Sequence, residues 1–134
     1  MSLKTSTFTV TDNNRDKGKA FLITEMSADQ AERWATRAFF AVMNAGAEIP
    51  DDMAGGGMAA LASIGLSTLA KVPFEAAEPL LNEMMSCVQI IPNPAKPNIV
   101  RNLVDSDIEE VATRFKLKKA VWDLHVGFFM SAAE

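Results

Sequence analysis

His125 and Cys87 are the only histidine and the only cysteine in the chain. Acid–base, nucleophilic or soft-metal chemistry would therefore have to run through these two side chains and their neighbours. Asp123 lies two residues from His125, a spacing that on a helix sends the two side chains to different faces, so the pair is not the base and orienting acid of a triad. A zinc site normally takes four ligands and one of each soft type does not supply them. Asp105-x-Asp107-x-Glu109 resembles the start of a calcium loop, but Glu110 stands where the sharp turn needs glycine and Lys116 where the bidentate glutamate belongs. Glu75, Glu78 and Glu83 could form a carboxylate set, yet the solvated face of a helix accounts for them without a pocket partner. Gly55-Gly56-Gly57 precedes a helical pattern and could turn amides toward an anion, but no lysine or arginine follows before Lys71. These readings point to no enzyme and no cofactor, and leave surface for binding protein.

The elements that would carry such a surface follow from periodicity. Phe8–Thr11 and Ala20–Thr24 are short apolar or β-branched runs around the turn-rich Asp12–Gly18, which predicts a β-hairpin arm over residues 1–26. Ser27-Ala28-Asp29-Gln30 has the form of a capping box, and Ala31, Trp34, Ala35, Ala38, Val42 and Ala45 recur at helical spacing to a stop at Gly46. Met53–Ala70 carries no charge but is short for a membrane span and rich in glycine; a glycine loop followed by a small-residue packing helix over 58–71 is the expectation. A further helix runs from Glu75 or Glu78 to Ser86, with Pro79 near its start and Leu80, Leu81, Met84, Met85 and Val88 on its apolar side. Val88–Ile91 reads as a strand and Ile99–Leu103 as a second short one, with the prolines between them as a rigid connector. The last helix begins at a cap in Asp105-Ser106-Asp107 and continues to about Met130. One of its stripes is Ile108, Val111, Ala112, Phe115, Trp122, Val126 and Phe129, and a second is Leu117, Val121, Leu124 and Phe128. Its end is apolar nearly all round, which places it in the core or under another protein.

Together these predict one α+β domain over 1–134, predominantly helical, with an N-terminal hairpin, about four helices in a body over 27–134, and an extra strand pair around 88–103. With 49% apolar and 22% charged residues the chain can bury a core without disulfides. Its net charge is −4, with the acidity between 48 and 110. The one basic stretch, Arg114–Lys119, is too little for a nucleic-acid interface. No secretory signal and no membrane anchor is read, and a single cysteine suits a reducing compartment. Eight methionines supply pliable contacts that fill core gaps or adapt to apolar partners.

Gly18-Lys19-Ala20-Phe21-Leu22-Ile23-Thr24-Glu25-Met26, followed by Gln30-Ala31-Glu32-Arg33-Trp34-Ala35 and Arg37-Ala38, resembles small bacteriophage and prophage tail-assembly chaperones. Glu48-Ile49-Pro50, the Ala-Gly segment to Ala70, Ala77-Glu78-Pro79-Leu80-Leu81 and Asp107-Ile108-Glu109-Glu110-Val111 extend the resemblance over residues 18 to 129. It implies a non-enzymatic factor of the bacterial cytoplasm that coats the tape-measure protein until the tail tube polymerises and is not retained in the virion. It also implies that this chain is the short form beside a longer frameshift product that reaches the tail tube protein. No site residues come with the family. From the hydrophobic pattern alone, Phe115, Trp122, Val126 and Phe129 are expected to mediate self-association into a homo-oligomer, and Gly55, Gly56, Gly57, Met84 and Met85 to touch the client. A head-tail completion protein and, further off, a small-molecule-binding domain are the competing readings.

Overall fold

The computed structural model describes residues 3–44 and 72–133, with side chains up to Val126. The expected helix over 58–71 and the glycine loop therefore lie outside the described residues. The chain forms two compact units, one made of Met1–Glu25 with Met84–Leu124, the other of Met26–Glu83 with His125–Glu134.

In the first unit, β1 (Thr5–Thr9), β2 (Ala20–Thr24), β3 (Val88–Ile91) and β4 (Arg101–Asn102) form one antiparallel sheet in that order. The hairpin is thus half of a sheet rather than an arm, and the strand pair expected near 88–103 completes it. β1 sits three residues earlier than its apolar run suggests, because pairing Phe8 with Phe21 and Thr9 with Ala20 leaves Val10–Lys19 to close the loop. Phe21 pairs in turn with Ile90, and Ile23 with Val88. Cross-strand partners share a face, so Phe8, Phe21, Ile23, Val88 and Ile90 line one side, and from Phe21 onward they are buried.

Gly18 has φ +87° and open space where a Cβ would stand. A Gly18→Ala variant is expected to lose about 1–2 kcal/mol from backbone strain alone, read as a lower urea midpoint; an unchanged midpoint would show that the loop relaxes out of this geometry.

α3 (Val111–Ala133) buries Thr113, Leu117 and Val121, spaced one turn apart, within this unit. Of the two apolar stripes read for this helix, the one through Leu117 and Val121 is therefore the buried one at its start. A 3-10 turn at Asp105–Asp107 stands where the helix was expected to begin.

In the second unit, α1 (Ala28–Asn44) starts as predicted: Ser27 Oγ accepts from the Gln30 amide at 3.2 Å. The other half of the capping box does not form, since the Gln30 side chain donates to Glu83 instead. Trp34, Ala35, Ala38, Phe39 and Val42 are its buried side. α2 (Phe74–Met85) begins on the Pro73 carbonyl, which accepts from the Ala76 and Ala77 amides, and it runs through Pro79 rather than starting there. The proline is tolerated because its ring lies on the exposed side, where water can reach the Glu75 carbonyl that loses its partner. Trp34 Nε1 donates to the Leu80 carbonyl at 2.9 Å and ties α1 to α2.

Candidate functional site

The most highly built polar cluster lies in the first unit, around Asp16. The hairpin loop turns on itself through the Asp16 amide, which donates to Asn14 Oδ1 at 3.0 Å, and this turn buries the Asp16 carboxylate completely. Oδ1 accepts from Lys19 Nζ at 2.8 Å and from the Glu109 amide at 3.0 Å; Oδ2 accepts from the Glu110 amide at 3.0 Å and from Thr113 Oγ1 at 2.6 Å. Burial alone pushes this carboxyl up, but the donors outweigh it and hold it well below the usual carboxylate range. Lys19 also donates to the Asp107 carbonyl, and Asp16 raises its pKa above the ordinary lysine value.

Asp107 is gripped by both arms of Arg101 at 2.7 and 2.8 Å and accepts from the Val104 amide, and Arg101 first, then that amide, lowers its pKa. Arg15 reaches Glu110 and the Glu109 carbonyl, and Lys116 reaches Asp12. Asp107, expected in the local cap of the last helix, is held by Arg101, and the residues leading into that helix are anchored instead by a carboxylate far upstream.

The polar atoms of this cluster are satisfied by one another. Asp16 has each oxygen doubly engaged, and among the described residues no buried side-chain nitrogen or oxygen lacks a partner. His125 is buried and its Nε2 accepts from the Met26 amide at 2.8 Å, while Asp123 pairs with Lys119 rather than with the histidine. Among the described residues no group of three or more His, Cys, Asp or Glu is placed to hold a metal ion, and no helix is long and apolar enough to cross a membrane.

Open apolar surface is found on both units. In the second unit a groove of about 460 Å³ runs between α1 and α2, lined chiefly by Phe40, Ala41, Pro73, Ala76, Pro79 and Leu80, with Arg37 and Glu75 at its margins. Phe40 is 57% exposed, and Met43 and Phe74 nearby are also exposed. Beside it a polar cleft holds Ser27, Gln30, Arg33, Arg37 and Glu83. Burial pushes Glu83 up, but hydrogen bonds from Arg37 and Gln30 bring it below its usual value, and Arg33 pairs with Asp29. In the first unit Val104, Val111 and Phe115 are exposed, with Lys118 Nζ 5.6 Å from the Phe115 ring centre.

The residues read as an oligomer surface part company here. Phe115 is 66% exposed, but Trp122 and Val126 are each only 6% exposed, so they are interior side chains and not an open surface. The cause is the all-round apolar stretch of α3: Val121, Trp122, His125 and Val126 are all buried by the chain itself. Phe129 lies in α3 with its side chain outside the described residues.

Of the client set, Met84 and Met85 are buried, as the apolar side of α2 requires, and they are corrected from contact residues to core. Gly55, Gly56 and Gly57 lie outside the described residues.

Phe40, which lines the groove, and Phe74, exposed beside the lining residue Pro73, were missed. The signal for Phe40 is its angle: at about 100° per residue Phe39 already stands at the edge of the buried side of α1, and Phe40 falls a further 100° beyond it. Compared with protein-family models, with curated proteins and with solved structures, the chain matches none.

Proposed function

We propose that the chain is a non-enzymatic phage tail-assembly chaperone that binds the tape-measure protein in the host cytoplasm and keeps it soluble until the tail tube polymerises. The observation that carries this reading is the open apolar groove between α1 and α2, with Phe40 in its lining 57% exposed and Phe74, next to the lining residue Pro73, 64% exposed. A groove between two helices suits the apolar stripe of a third, held by side-chain burial at successive turns. A long helical client with such stripes aggregates unless covered, and a cover needs apolar contact more than chemistry. The resemblance in residues 18–129 names the client. The proposal keeps, as an expectation from the sequence, a mainly helical body with a fourth helix over 58–71.

Co-expression with the tape-measure protein of the same genome tests it. A soluble complex with several copies of this chain, weighed by light scattering, is the expected result. Phe40→Glu and Phe74→Glu together should leave the fold intact, both side chains being exposed, and weaken the complex at least about tenfold by placing charges in an apolar contact. Full binding by the double variant would remove the groove from the site. A tape-measure protein that stays insoluble beside free wild-type chain would overturn the chaperone reading. Recovery of the chain from purified virions would then favour a completion protein.

A further inference from the structure

The sheet of the first unit ends on one side at β4, two residues long, and on the other at β1, five residues long. The hydrogen bonds at the two ends of β1 fix which of its backbone groups are used. Lys4 accepts from the Glu25 amide and Val10 donates to the Lys19 carbonyl. Because an antiparallel ladder alternates, Lys4, Ser6, Phe8 and Val10 turn their backbone groups toward β2, while Thr5, Thr7 and Thr9 turn theirs to the outside. All three threonines are exposed. Natural sheets blunt such an edge with a charge, a proline or a bulge. Thr5-Ser6-Thr7-Phe8-Thr9 has neither charge nor proline, and its register with β2 is unbroken.

We propose that this edge pairs antiparallel with β1 of a second copy of the chain, about a two-fold axis at Thr7, so that the sheet continues across both copies. The occupant follows from the symmetry of the strand. The outward residues sit evenly about Thr7, so β1 meeting itself places Thr7 opposite Thr7 and Thr5 opposite Thr9, and every outward amide finds a carbonyl. Threonine then faces threonine on one side of the sheet and Ser6 faces Phe8 on the other, with no like charges opposed within the strand. The contact closes after two copies instead of propagating. It involves neither the α1–α2 groove nor Phe115, so it stands or falls independently of the client reading.

Sedimentation and light scattering of the purified full chain, without client, across a concentration series supply the test. The wild type should approach twice its 14.5 kDa mass. Thr7→Pro removes an outward amide and no ladder bond to β2, so it should keep the wild-type circular dichroism and self-associate at least about tenfold more weakly. Thr7→Val keeps the backbone and should dimerise like wild type. In hydrogen exchange the Thr5, Thr7 and Thr9 amides should become protected as concentration rises, whereas those of Ser6 and Phe8 are protected throughout. A monomeric wild type, or a folded Thr7→Pro variant that dimerises normally, overturns the proposal; the second result would move self-association to another surface.

Discussion

Asp16→Asn should destabilise the fold by about 3–5 kcal/mol, the range for breaking a buried, hydrogen-bonded charge. The carboxylate is fully buried and accepts from Lys19, Thr113 and the amides of Glu109 and Glu110. An asparagine has one acceptor oxygen where the site supplies donors to two, so its amide group would face donors and at least one of them would stay buried and unsatisfied. Lys19 would lose its buried anion while keeping the Asp107 carbonyl. A urea melt at neutral pH measures the effect, and a loss below about 0.5 kcal/mol, the scatter of ordinary surface substitutions, would show that the cluster does not hold the hairpin loop to the start of α3.

The same residue sets an acid dependence. The folded-state pKa of Asp16 lies below the unfolded value of about 3.9, and Asp107 and Glu83 are shifted in the same direction. A depressed native pKa gives stability that is complete above the unfolded value and is lost as pH falls toward the native one. Wild-type stability should therefore decline from about pH 5 downward, with a shallower slope in Asp16→Asn; parallel curves for the two proteins would remove Asp16 from the cause.

What was legible in the sequence divides by range. α1, the apolar side of α2 and the strands at 20–24 and 88–91 follow from spacing within a few residues, and each appears close to where spacing puts it. The start of α3 does not, because the carboxylate that anchors the residues leading into it, Asp16, lies in the hairpin loop and nothing near Val111 announces it. Local reading assigned that task to Asp105–Asp107, where Arg101 in fact takes the acid. The surface was harder to read than the core for a similar reason. Trp122 and Phe115 lie on the same angular stripe of α3, and only the depth of the surrounding structure separates a buried ring from an exposed one. A helical stripe records which side chains share a face, not how far along the helix that face stays covered.

Trp34→Ala is expected to cost about 3–5 kcal/mol, the range for truncating a large buried aromatic, and to act in the second unit. Trp34 is buried, and its nearest buried neighbours on α1, Ala35 and Ala38, are small side chains that cannot expand into the space an indole leaves. The change also removes the Nε1 hydrogen bond to the Leu80 carbonyl and with it a direct tie between α1 and α2. Trp34→Phe separates these contributions, since it keeps an aromatic body and deletes the donor; it should cost about 1–2 kcal/mol from the bond and the smaller ring. Because the α1–α2 groove is shaped by that tie, Trp34→Phe should weaken the tape-measure complex while Gly18→Ala, which strains only the hairpin loop, leaves it unchanged at matched folded fraction. Equal effects of the two on the complex would mean that binding tracks overall stability and not the geometry of the groove. A Trp34→Ala variant within about 1 kcal/mol of wild type by urea melt would show that the space closes by movement of α2 and that the α1–α2 spacing is adjustable.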